Sequence, residues 1–111
     1  MRSPWKPIAF ATPAGHLSDR EIAAATGAKA STVRDWLRGR SSPTGSRAAR
    51  LIELGEITDR LGRVMEPAYI PLWLNRPLGA LDDDKPVERL ARGDYRSIAK
   101  LVAALEYPAV S

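Results

Sequence analysis

The sequence predicts an all-α fold, and three observations carry that expectation. Apolar residues recur at the i, i+3, i+4 spacing of a buried helix face, no run alternates as a half-buried strand does, and capping residues stand at the segment ends. The chain has 111 residues, enough for one domain or for two half-domains that share a core. Its hydrophobic content of 44% and charged content of 27% are near those of soluble globular proteins, so most of it should fold. A chain this short is marginally stable alone, and a homodimer is expected.

The first helix is expected at Asp19, where Ser18-Asp19-Arg20-Glu21 forms a capping box that satisfies the first free amides. Ile22, Ala23 and Ala25 form its apolar side, Leu17 staples its entry and Gly27 stops it. A second helix, about Ser31 to Arg38, turns Val33, Trp36 and Leu37 inward. Gly39 to Gly45 reads as loop. From Ser46 the series Ala49, Leu51, Ile52, Leu54, Ile57, Leu61, Val64 keeps helical spacing and predicts the longest helix. Pro67 and Pro71 end or restart it, and Tyr69 to Leu74 forms a short helix before a turn at Asn75 to Gly79. Pro86 opens another over Val87 to Ala91, closed by Gly93. Asp94 caps the last helix, whose stripe is Ile98, Leu101, Val102 and Leu105.

The basic excess lies in the first part of the chain. Residues 1–66 carry 11 basic and 7 acidic side chains, whereas residues 67–111 carry 6 of each. Between Lys29 and Arg50 six cations face Asp35 alone, a local charge that attracts phosphate. Two short helices joined through Gly27, with small Ala23 four residues earlier and Val33 and Trp36 at locking offsets, have the makings of a helix-turn-helix. The second helix would then enter the major groove of operator DNA. Ser31, Arg34 and Asp35 are the expected base readers, Thr32 stands beside them, and Lys29, Arg38 and Arg40 are placed to hold phosphates. An ordinary helical hairpin with a charged outer face is the other reading of the same residues.

Several function classes are disfavoured. The chain has no Cys, which removes disulfides, thiol nucleophiles and zinc ribbons and fits a cytoplasmic protein. His16 is the only imidazole and no paired carboxylates share a helix face, so no catalytic residues and no cofactor are expected. The acidic run Asp82-Asp83-Asp84 lacks the spaced ligands of a calcium loop, and no metal is expected. The longest uncharged stretch, Pro7 to Ser18, contains two prolines and is too short to span a membrane. The apolar patch near Met1 is likewise too short for an export signal. Pro4, Pro7 and Pro13 predict an extended arm over residues 1–16, whose Trp5, Ile8 and Phe10 need cover.

The spacing over Asp19 to Arg38 resembles the helix-turn-helix of Xre and λ-repressor-type regulators. Further on, Trp73-Leu74-Asn75-Arg76-Pro77-Leu78 followed by Lys85-Pro86-Val87-Glu88-Arg89-Leu90-Ala91-Arg92-Gly93 resembles the carboxy-terminal domain of the Xre/MbcA/ParS antitoxin family. The sequence departs from that pattern at Ala80 to Asp84, where the family more often has a glycine and few charges, and this turn could be shaped for a partner. The resemblance implies a helix-turn-helix at 17–45, a connecting and dimerisation helix at 46–66, and a toxin-binding domain at 67–111. It implies an antitoxin that neutralises a RES-domain, NAD-consuming toxin and represses its own operon. Within that picture the segment Lys100 to Ser111 lies over the toxin's NAD cleft. Leu101, Val102, Leu105, Tyr107 and Val110 supply apolar surface, and Arg96, Lys100 and the Ser111 carboxylate meet its polar rim. A stand-alone transcription regulator without a toxin is the competing expectation.

Overall fold

The computed structural model describes residues 17–108. Within them the chain forms six α-helices and two 3₁₀ turns, with no strand among the described residues. The helices are α1 (Asp19–Thr26), α2 (Ala30–Leu37), α3 (Gly45–Leu61), α4 (Ile70–Leu74), α5 (Pro86–Ala91) and α6 (Tyr95–Glu106). The 3₁₀ turns are Pro67–Tyr69 and Gly79–Leu81. The all-α expectation holds. Trp5, Ile8 and Phe10 of the expected arm, and His16, lie outside the described residues.

Helix α3 is the centre of the packing. Its Leu51, Leu54, Ile57 and Leu61 are buried, and α1, α5 and α6 all pack against it. Ile22 and Ala25 of α1, Val33 and Trp36 of α2, Ile70 and Leu74 of α4, Leu90 of α5, and Ile98 and Val102 of α6 complete one continuous core. Helices of eight residues or fewer are unstable in water by themselves, so α1, α2, α4 and α5 exist because this core holds them. The apolar series expected for α3 includes two residues that the core does not use. Ile52 is 46% exposed because, one residue past Leu51, it turns away from the buried stripe. Val64 is exposed because the helix ends at Leu61, three residues short of it.

The local signals act as expected at both ends of α1. Arg20 N–H donates to Ser18 Oγ at 3.2 Å, and Ser18 N–H donates to Glu21 Oε1 at 2.9 Å. At the other end Gly27 takes φ +79°, and its N–H closes on the Ala23 carbonyl at 2.9 Å. That left-handed cap turns the chain into α2 within three residues. Gly93 is required by its backbone conformation and also leaves room for Arg50. Its φ is +88°, and a Cβ there would stand 3.0 Å from the guanidinium that Arg50 of α3 lays across it.

The turn between α4 and α5 is built around Arg89. This side chain donates through Nε to Asp84 at 2.7 Å, through Nη1 to Asp94 at 2.9 Å and through Nη2 to the Leu81 carbonyl at 2.9 Å. It thereby ties the 79–84 turn and α5 to the N-cap of α6, where Asp94 also accepts from Ser97 N–H at 3.3 Å. Asp82 and Asp83 take left-handed φ values of 54° and 67°, the conformation that glycine adopts most easily and Asp tolerates. Asp84 is therefore consumed inside the fold by Arg89 and Arg92, while Asp82 and Asp83 are exposed.

Trp36 is 5% exposed at the junction of α2 with the rest of the core. Trp36→Ala is expected to cost about 3–5 kcal/mol, measured by urea denaturation. The Arg89 network sets an acid limit. Arg89 and Arg92 hold Asp84 below the usual carboxylate range, and the Ser97 and Arg89 hydrogen bonds do the same for Asp94. Because the native pKa values lie below the unfolded ones, their contribution is complete above about pH 4 and is lost as pH falls through the native values. Arg89→Gln should lower the urea midpoint at neutral pH and flatten its decline below about pH 4; an unchanged acid slope would contradict this account.

Candidate nucleic-acid and protein interfaces

The first candidate surface is the outer side of α2. Val33 and Trp36 point into the core, and at 100° per residue this turns Ser31, Arg34, Asp35 and Arg38 to the opposite side. The exposures agree. Lys29, Ser31, Arg34, Arg38 and Arg40 are exposed, while Thr32 and Asp35 are half-buried, Thr32 at the flank of the stripe. Lys29, the N-cap of α2, makes no side-chain cap and leaves the first amides of the helix open.

The cations here are not equivalent. Arg34 donates to Asp19 of α1 at 2.7 Å, which holds the Asp19 carboxyl below its ordinary range and ties the two helices together. Arg50 pairs with Glu53 and covers Gly93, so it is committed to the fold. Among the described residues, Lys29, Arg38, Arg40 and Arg47 form no ion pair with a carboxylate. Arg20 on α1 and Arg47 on α3 are exposed cations of the same kind that the sequence reading did not select as DNA contacts. Nothing in a linear pattern says which of several arginines will meet a carboxylate fifteen residues away.

The second candidate surface is α6 and the residues after it. With Ile98 and Val102 fully buried, the helical turn brings Arg96 and Lys100 to the outer side, and Tyr107 follows at the C-cap. Arg96 and Lys100 are exposed and without carboxylate partners among the described residues, and Tyr107 is 81% exposed. The apolar residues divide. Val102 belongs wholly to the core, and Leu101 packs half-buried against it, because both continue the stripe that seats α6 on α3 and α5. Leu105, 40% exposed, and Tyr107 are the ones left exposed. The segment from Lys100 is thus a core helix as far as Glu106. Val110 and Ser111 lie outside the described residues.

A feature absent from the sequence reading fixes where this segment leaves the molecule. Arg60, in the last turn of α3, grips Glu106 with Nε at 3.1 Å and Nη2 at 2.5 Å. Arg60 holds the Glu106 carboxyl below its ordinary range, with a further contribution from Arg63. Nearby, Tyr95 Oη donates to Glu56 at 3.0 Å, a second tie between α6 and α3; burial pushes this phenol up, and Glu56 adds to it. The Arg60–Glu106 pair spans 46 residues, and no sequence period could have found it. The Arg89 network has a fainter signal, an arginine with aspartates five residues to either side.

No protein-family model matches the sequence. The chain is 27% identical over 89 residues to the mycobacterial cidal antitoxin MbcA of Mycobacterium tuberculosis and of Mycobacterium bovis, covering 80% of this chain and 79% of that protein. Its fold superposes with a TM-score of 0.74 on a chain in the crystal structure of the M. tuberculosis MbcT–MbcA toxin–antitoxin complex. That match has 27% identity and covers 93% of this chain and 97% of the other. The likeness therefore takes in both candidate surfaces. Among the described residues no group of His, Cys, Asp or Glu could hold a metal ion, and no helix is long and apolar enough to cross a membrane.

Proposed function

We propose that this chain is the antitoxin of a type II toxin–antitoxin pair. It acts in the cytoplasm as a homodimer, neutralises a RES-domain, NAD-consuming toxin, and represses its own operon. One observation carries the reading: the likeness to MbcA and to a chain of the MbcT–MbcA complex runs through nearly the full length of both chains, so it includes the basic helical pair and the α6 end alike. α1 and α2 act as the helix-turn-helix. Ser31, Arg34 and Asp35 read base edges, with Arg34 aimed by Asp19, while Lys29, Arg38, Arg40 and Arg47 hold phosphates. The residues after Glu106 lie over the toxin's cleft, and Leu105 and Tyr107 lead into it. Arg96 and Lys100 meet polar groups at the rim.

The stand-alone regulator shares the basic face but has no use for an exposed Tyr107 beside a pinned helix end. The two readings part on one experiment. Co-expression with the RES-domain product of the adjacent reading frame should preserve growth and cellular NAD. A chain ending at Glu106, which keeps Val102 and the Arg60 pair, should fold with an unchanged melting temperature and lose that protection. Unchanged NAD with the adjacent product expressed alone would remove the neutralising role. For the operator, Arg38→Ala should reduce the slope of log K against log salt by about 0.9 while toxin protection is retained; an unaltered slope would take Arg38 off the phosphate backbone.

A further inference from the structure

Apolar exposure among the described residues is not confined to α6. A groove of about 270 Å³ is lined by Met65, Tyr69, Leu72, Trp73 and Arg76. Tyr69 is 60% and Leu72 61% exposed, although Ile70 and Leu74 of α4 are fully buried. The α4 helix is thus anchored on one side and greasy on the other. Met, Tyr, Trp and Arg are the residue types enriched where proteins meet, and Arg76 forms no ion pair with a carboxylate among the described residues.

We propose that this groove is a second docking surface for the same toxin, one that takes an apolar side chain flanked by a carboxylate for Arg76. The inference rests on the antitoxin reading above. Two observations select the toxin as occupant. The first is position. Arg60 pins Glu106 to the last turn of α3, and the groove begins at Met65, whose N–H still bonds to the Leu61 carbonyl at 3.0 Å. The groove and the departing tail therefore stand at the same end of the molecule, where α3 finishes. The second is area. A stable protein pair buries about 800 Å² on each partner, contributed by about 20 residues or more, and Arg96, Lys100, Leu105 and Tyr107 of the α6 surface cannot supply it. A toxin that receives the tail must rest on neighbouring surface, and this is the apolar surface within reach.

Leu72→Glu tests the proposal, because Leu72 is exposed and its replacement leaves the core untouched. Binding of the full chain to the purified RES-domain protein encoded beside it should weaken about 30-fold or more by calorimetry, the loss expected when a central contact is removed. Tyr69→Ala should weaken it in the same direction, with melting temperature and operator affinity unchanged in both variants. Wild-type affinity in both variants, with the unmodified chain binding tightly, would overturn the groove and leave the antitoxin reading standing. Failure of the unmodified chain to bind would overturn both. If Leu72→Glu instead splits a dimer and spares toxin affinity, a second copy occupies the groove. If it lowers the melting temperature as much as removal of residues 2–16 does, again with toxin affinity spared, the chain's own first residues occupy it. Either result overturns the proposal.

Discussion

A single apolar stripe on α3 has to serve two groups of short helices at once. Leu51, Leu54, Ile57 and Leu61 sit fully or almost fully buried, each contributing roughly 1.5–3 kcal/mol by leaving water. That stripe seats α1, which carries α2, and it also seats α5 and α6, with α1 packed on α5 as well. Since the flanking helices are too short to persist without it, their orientation is a property of α3 rather than of their own sequences. The surface that faces outward on α2 and the point at which the chain leaves α6 are consequently set by the same few leucines.

Around that stripe the arginines fall into two kinds. Arg89, Arg60 and Arg50 are spent on the fold: one gathers a turn and a helix cap, one clamps the end of α6, and one lies across Gly93. Isolated surface pairs contribute little to stability. Arg60 and Glu106 differ in geometry, because the forked contact restricts direction as well as distance. The fork therefore fixes the direction in which the chain leaves α6. Arg38, Arg40 and Arg47, by contrast, meet no carboxylate and keep their charge available to solvent or to phosphate.

What the sequence made legible follows from range. The capping box at Ser18, the stop at Gly27, the start at Pro86 and the cap at Asp94 are interactions within a few residues, and each stands where the local pattern indicates. The boundary of α2 differs by one residue at each end, because Lys29 rather than Ala30 takes the extended cap conformation. Periodicity was less secure where it could not tell one side of a helix from its neighbour, so Ile52 and Val64 joined a stripe that they do not share. Val102 looked like surplus greasy surface until the packing of α6 claimed it. The Asp19–Arg34 and Arg60–Glu106 pairs cross 15 and 46 residues and leave no periodic trace. The groove at α4 depends on the third dimension in the same way: of the adjacent Trp73 and Leu74, only Leu74 is fully buried.

The shared core also limits how function can be dissected. A cavity at Leu54 or Trp36 would loosen α2 and α6 together, and the simultaneous loss of two binding activities would then report unfolding rather than coupling. Only residues that lie outside the stripe can separate the two surfaces, and the structure supplies them in pairs: Arg38 and Arg40 beyond α2, Leu72 and Tyr107 at the other end. A rigid α3 between those ends can carry a load on one to the other only if α1 or α6 shifts along its leucines. Close packing makes such a shift a switch between discrete arrangements. If occupancy at α4 and α6 altered the grip of α2, the Gly93–Arg50 contact would have to move with it, since it is there that α3 touches the turn joining α5 to α6.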